Sequence, residues 1–252
     1  MTHLPMTTSY APAWVALSFL ISATGAFVAL TAAARIAQPG RALDRINLLA
    51  AGAALGGIGI WSMHFVGMLA VHVDMGVSYS LPETIASLLF AVVGSAAGLL
   101  WVARDPRSLG RTLGAGLLLG VAVVVMHFLG MAGMRFGGVF EWDATRIAIS
   151  VVIAVVAATA ALTLAFRVRG VPARAVAAAI MAVAVGAMHY TGMSAATFIC
   201  TTTDPSAFPV GATLVPSLEL PVMVTLLSLG LAVIIAIDQA FQRFSHPVTA
   251  RG

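Results

Sequence analysis

The chain has 252 residues, 60% hydrophobic and 9% charged, with a formal net charge of +4 at pH 7. A soluble domain carries about 25% charged residues, so this composition excludes an ordinary water-facing surface and indicates an integral membrane protein. All thirteen basic residues are arginine; their placement between apolar runs reads as a topology signal, and no nucleic-acid partner is expected.

A spanning helix needs roughly 20 mainly apolar residues. The opening "MTHLPMTTSYAPAW" lacks the positive stretch of a cleavable signal. Seven spans are then predicted in chain order, at about 12–35, 46–71, 82–103, 110–134, 146–167, 173–198 and 216–241. The breaks after spans one, three and five carry Arg35, Arg41, Arg45, Arg104, Arg107, Arg111, Arg167, Arg169 and Arg174, and the C-terminal tail adds Arg243 and Arg251. The opposite side holds Arg135 and Arg146 with Asp74, Glu83, Glu141, Asp143, Asp204 and Glu219. Short loops rich in arginine stay in the cytoplasm, which predicts an outside N-terminus and a cytoplasmic C-terminus. The expected fold is all-α: a polytopic bundle of seven transmembrane helices in the lipid bilayer.

The even-numbered spans repeat one pattern. Residues 53–72 read "AALGGIGIWSMHFVGMLAVH", residues 116–135 "GLLLGVAVVVMHFLGMAGMR", and residues 178–197 "AAIMAVAVGAMHYTGMSAAT". The shared core is Met-His-aromatic-x-Gly-Met. Its period is two spans and two loops, so each unit is a helix pair and the three units are parallel repeats. They are expected to cover about 12–75, 82–138 and 146–200 of a single membrane domain, with an extra seventh helix at 216–241 and no soluble output domain expected within these residues. All three motifs lie near the outer ends of their spans.

Residues four apart share a helix face, which stacks His64 with Met68, His127 with Met131, and His189 with Met193. Met63, Met126 and Met188 precede each histidine and point about 100° away from it. One helix therefore cannot aim all its donors at one point, and a ligand set must be completed by neighbouring helices. Gly67, Gly130 and Gly192 remove a side chain three residues after each histidine and let another helix approach. A charged histidine is costly in hydrocarbon; the neutral ring keeps one free lone pair, which suits a metal. Imidazole with thioether, and no carboxylate nearby, favours copper, above all Cu(I) over Cu(II). A haem with His or His/Met axial ligands is the other chemistry that uses these donors. A single such histidine is more often a packing residue and methionine a gap filler. Recurrence of all three donors at one depth, while Trp61, Val124 and Gly186 have diverged at one equivalent position, favours a shared ligand site.

With these residues in view, the sequence resembles the MHYT domain family of bacterial membrane sensors, named for the tetrapeptide that stands here as Met188-His189-Tyr190-Thr191. The other copies read Met63-His64-Phe65-Val66 and Met126-His127-Phe128-Leu129. The resemblance covers nearly the whole chain. It implies a non-enzymatic, inner-membrane sensor whose motif Met and His residues bind copper and through it sense oxygen, carbon monoxide or nitric oxide. In relatives a cytoplasmic output domain follows. Here "FQRFSHPVTARG" follows the seventh span: either the output domain is absent and a cytoplasmic signalling partner supplied in trans is the candidate, or the output domain lies beyond these residues. Copper itself is the other candidate signal, and a copper transport or delivery protein is the alternative function.

Some features stay open. His72, Asp74, Met75 and Cys200 cluster near the outer face, where an access path for metal and a solvated loop explain them equally well. The lone Cys200 excludes an intramolecular disulfide and a CxxC metal site. Met1, His3 and Met6 are soft donors on a short terminus and are not expected to ligate. Trp14, Trp101 and Trp142 fit an interfacial belt. Gly52, Gly56, Gly57 and Gly59 indicate close helix packing.

Overall fold

The computed structural model describes residues 4–38 and 42–245. Met1, His3, Arg41 and Arg251 lie outside the described residues. Seven helices are long and apolar enough to cross a membrane: α1 Pro12–Ala33, α2 Arg45–Leu69, α3 Leu81–Ala103, α4 Leu109–Ala132, α5 Ala144–Arg167, α6 Val171–Ser194 and α7 Glu219–Ser245. Their starts follow local chemistry. Proline sits in the first turn of α1, α3 and α6, where its missing N–H leaves no intrahelical bond unmade. Asp44 accepts from the Asn47 N–H, Ser108 from Arg111 and Asp143 from Thr145 and Arg146, which satisfies amides that a helix start leaves open.

Helices α1 to α6 form a closed ring in which each packs along its sequence neighbours and α6 returns to α1. Helix α7 lies outside the ring, against α1 and α2. Cover from both sides makes α2 the most buried span. At one crossing Gly56 lies so close to the Ala91 carbonyl that any Cβ there would collide with backbone, the close approach expected of small residues between membrane helices.

The connections at the motif-bearing end are not irregular loops. They form strands β1 Leu4–Pro5, β2 Ser9–Tyr10, β3 Val71–His72, β4 Val77–Ser80, β5 Met134–Phe136, β6 Gly138–Trp142, β7 Ala196–Cys200 and β8 Leu214–Pro216. They pair antiparallel as β1-β7-β6, β2-β3 and β5-β4-β8. The sixth span therefore stops at Ser194, short of the expected 198, because Ala196–Cys200 pairs with β6 instead. Phe140 faces Phe198 across that pair, ring centroids 5.0 Å apart. This strand cap sits over the ends of α2, α4 and α6. The arginine-rich connections are at the opposite end.

Helix α2 is not α-helical throughout. Residues Ala53–Ser62 form a π-helical run, and the α pattern resumes at Met63–Leu69. The Gly-rich "AALGGIGIWS" offers few side chains to hold regular turns, and the Ser62 hydroxyl donates to the carbonyl of Gly57, five residues back, at 2.7 Å. Such wide turns are rare and recur at functional positions; this one leads directly into Met63 and His64. Ser62 also contacts Ser228 of α7 through their hydroxyls. Trp61, the tryptophan set apart from the interfacial belt, is buried and donates to Ser87 Oγ at 2.9 Å.

At the arginine-rich end a polar cluster ties α7 to α1 and α2. Buried Gln239 donates to Oδ1 of buried Asn47 at 2.6 Å, Asn47 donates to Gln242 Oε1 at 3.1 Å, and Arg35 donates to the same oxygen at 2.7 Å. Removing one partner of a buried hydrogen bond strands the other, at a cost of about 1–3 kcal/mol. Asn47→Ala is therefore expected to lower the thermal unfolding temperature of the detergent-solubilised protein, whereas Thr7→Ala at an exposed position would not. An unchanged melting curve would show that the cluster contributes nothing to docking α7.

Candidate metal centre

Each histidine sits in the last turns of an even-numbered helix, where α2, α4 and α6 meet under the strand cap: His64 on α2, His127 on α4 and His189 on α6. All three are buried, at 1%, 1% and 2% exposure. Their Nδ1 atoms converge, His64 to His189 at 3.2 Å and His64 to His127 at 3.1 Å. The rings stand nearly perpendicular to one another, with centroids 4.9, 5.1 and 5.3 Å apart, like the blades of a propeller. Nitrogens bound at about 2.0–2.1 Å to a tetrahedral ion stand about 3.3–3.4 Å apart. The two spacings from His64 are within a few tenths of an ångström of that, and the three rings offer ligand atoms that all lie within 4.8 Å of one another.

Hydrogen bonding alone satisfies this arrangement poorly. A neutral imidazole nitrogen is either donor or acceptor. Nδ1 of His64 has two Nδ1 neighbours and one valence to offer them. A cation would use all three lone pairs at once. Nε2 of each ring is buried against a motif glycine and has no hydrogen-bond partner among the described residues; with the proton on Nε2, Nδ1 is the nitrogen free to ligate.

The glycines of the motif have a more specific role than admitting a helix. Each seats the histidine of the preceding repeat, taken cyclically. A Cβ at Gly67 would lie 2.5 Å from Nε2 of His189, and a Cβ at Gly130 or Gly192 would collide with Nε2 of His64 or His127. The seats run cyclically, α2 to α6, α4 to α2 and α6 to α4. Spacing in the sequence announced that something approaches these glycines; it could not say that the visitor is a ring from the preceding repeat.

The six methionines are all buried but border different spaces. Met188, with Met181, lines an apolar cavity of about 30 Å³ walled by Leu, Ile, Val and Ala side chains. Met68 borders a cavity of about 230 Å³ under the strand cap, and Met193 a separate one of about 240 Å³ beside Tyr10 and Arg146. Met63, Met126 and Met131 are enclosed in the helix packing. Of the other residues singled out in the sequence, His72 and Met75 border the cavity of Met68. Asp74 lies 3.4 Å from His72 at the exposed rim, and Cys200 points its thiol to the Thr202 carbonyl at 3.6 Å. Met6 borders the cavity of Met193.

A closed ring of apolar helices with three converging buried imidazoles defines a multi-pass membrane protein with a shared intramembrane histidine centre. Residues 57–115 and 120–178 match the MHYT model, described as a bacterial signalling protein N-terminal repeat, and the chain belongs to the MHYT family. Among curated proteins it is 39% identical over 75% of its length to MucR of Pseudomonas aeruginosa, a bifunctional diguanylate cyclase/cyclic di-GMP phosphodiesterase, and covers 28% of that protein. It is 36% identical over 74% of its length to the cyclic di-GMP phosphodiesterase NbdA of the same species, covering 24% of it. It is 30% identical over 75% of its length to the signalling protein YkoW of Bacillus subtilis, again covering 24%. The chain thus spans about a quarter of the length of these relatives. No solved structure matches it.

The seating of rings on glycines gives a direct test. Gly130→Ala must push the His64 ring aside, and overpacking of this kind costs about 1–3 kcal/mol. In a His64→Ala background the added methyl finds space, so the same change is expected to cost little. Thermal unfolding of the two single variants and the double variant measures the coupling; additive losses would mean that the ring and the glycine do not meet.

Proposed function

We propose that the protein is an integral membrane sensor that holds copper between His64, His127 and His189 and reports its state across the membrane. The convergence of three buried imidazoles, with Nδ1 of His64 3.1–3.2 Å from Nδ1 of the other two and ligand atoms of all three within 4.8 Å of one another, carries this reading. Thioethers of Met68, Met131 and Met193, one turn beyond the rings, and of Met63, Met126 and Met188, one residue before them, are the candidate further ligands. Soft sulfur with imidazole selects copper over magnesium or calcium. When bound, Cu(I) would supply a redox-active cation able to react with oxygen, carbon monoxide or nitric oxide. The chain's residues would fix the ring tautomers, keep water away and exclude hard cations.

The strand-capped end would face outside and the arginine-rich end the cytoplasm of a bacterial inner membrane, as the positive-inside rule requires. Helix α7 is the natural output element: Ser228 touches Ser62, two residues before His64, and its last turns are clamped to α1 and α2 by Gln239 and Gln242. The relatives named for cyclic di-GMP synthesis and breakdown support an output of that class, carried on the same polypeptide or on a partner.

Copper transport or delivery is the second reading, favoured by Met181 and Met188 on the arginine side of the rings. The wall around them is otherwise Leu, Ile, Val and Ala, and the small cavity there leaves no train of donors leading on, so sensing is preferred. Copper flux into proteoliposomes would reverse that preference.

Purified from copper-supplemented cells, the wild-type protein is expected to retain copper, and the His64/His127/His189 triple Ala variant to lose at least half of it, both read by elemental analysis. Equal copper in the two would sink the histidine centre, and a haem absorption band in the wild type would replace copper with haem.

A further inference from the structure

Above the histidines, under the strand cap, Met68 of α2, Met75 of the β3–β4 connection and Met134 of β5 border one cavity of about 230 Å³. His72 stands at its rim, exposed, with Asp74 beside it. Tyr79 and Phe198 form part of the wall, and burial pushes the Tyr79 phenol up, so it stays neutral. None of the residues lining this space carries a carboxylate. Exposure falls inward along the donors: His72 is open to solvent, Met75 is 9% exposed, Met134 6%, Met68 2% and His64 1%. Met68 lies one turn from His64, about 6 Å along the axis, so it belongs both to the cavity and to the edge of the centre. Packing alone has no need to gather three flexible thioethers around an open space, since methionine in a core fills gaps.

We infer that this cavity is a second, soft-metal site: Met68, Met75 and Met134 capture Cu(I) through thioether sulfur, His72 receives it at the rim, and Met68 hands it to the histidine centre. The transfer rests on the copper reading above; capture does not. Neutral thioethers bind a soft monovalent ion and offer little to hard cations or to Zn²⁺ beside water. The ion moves with no change of oxidation state, each sulfur or nitrogen replacing the one behind it. Nothing of the kind surrounds Met188, whose neighbours besides Met181 are hydrocarbon, so capture is confined to the strand-capped side.

The test separates the two sites by using Ag(I), a redox-inert soft ion. In the His64/His127/His189 triple Ala protein, Ag(I) is expected still to bind, and adding Met75→Leu and Met134→Leu should weaken that binding at least tenfold by calorimetry. These swaps conserve volume and usually fold. In a chain with its histidines intact, the same two Leu substitutions should slow Cu(I) loading of the histidine centre from a competing chelator at least tenfold while leaving the copper finally held there unchanged. Equal Ag(I) affinity with and without Met75 and Met134, or no Ag(I) bound in the triple Ala protein, overturns the capture site. Ag(I) binding that depends on Met75 and Met134, in a protein whose histidines never hold metal, would support the capture site and refute the centre instead.

Discussion

Three imidazoles meeting nitrogen to nitrogen inside a hydrocarbon bundle is the constraint on which the rest of this molecule depends. Unpaired polar atoms are expensive where there is no water to replace a missing partner. The protein brings His64, His127 and His189 together nonetheless, and does so with neighbouring helices that leave room for each ring at a glycine. The arrangement makes sense if the common point is a place for a cation. The ring of six helices follows from the same demand, because three parallel motif helices must lean together at one end, and the intervening helices hold them at that angle.

The cyclic order of the seats has a mechanical result. His64 rests on α4, His127 on α6 and His189 on α2. Each motif helix therefore holds one ring and is held by another. Displacing one helix disturbs its own histidine and the one it seats, so the three cannot drift separately. Sharing of this kind makes a bundle respond as a unit, since packed interiors move between discrete arrangements more readily than they deform.

The bundle and the motif residues were legible in the sequence for physical reasons. Apolar runs of spanning length have no other comfortable home, and Met-His-x-x-Gly-Met survives three times where neighbouring positions have drifted. The nitrogen that faces inward was not legible, because both nitrogens belong to one residue and ring rotation is set by the seat on another helix. The strand cap was missed because its segments are short and their partners are remote: Phe140 pairs with Phe198, and Leu4 with Cys200. Asn47 and Gln239 are 192 positions apart, and no pattern in the sequence pairs them. The wide turns of α2 left a trace in the glycines at 56, 57 and 59, which also fit plain close packing.

Those wide turns break the threefold pattern on one helix. Helices α4 and α6 deliver their histidines on regular turns, while α2 delivers His64 from the end of a ten-residue π-helical run. A π turn holds more residues than an α turn, so rewinding the run would lengthen α2 and rotate all that follows it. His64 would swing out of phase with its two partners. An occupant that pins the rings together thus pins the winding of α2 without touching it. By reciprocity, whatever alters that winding must change how firmly the occupant is held.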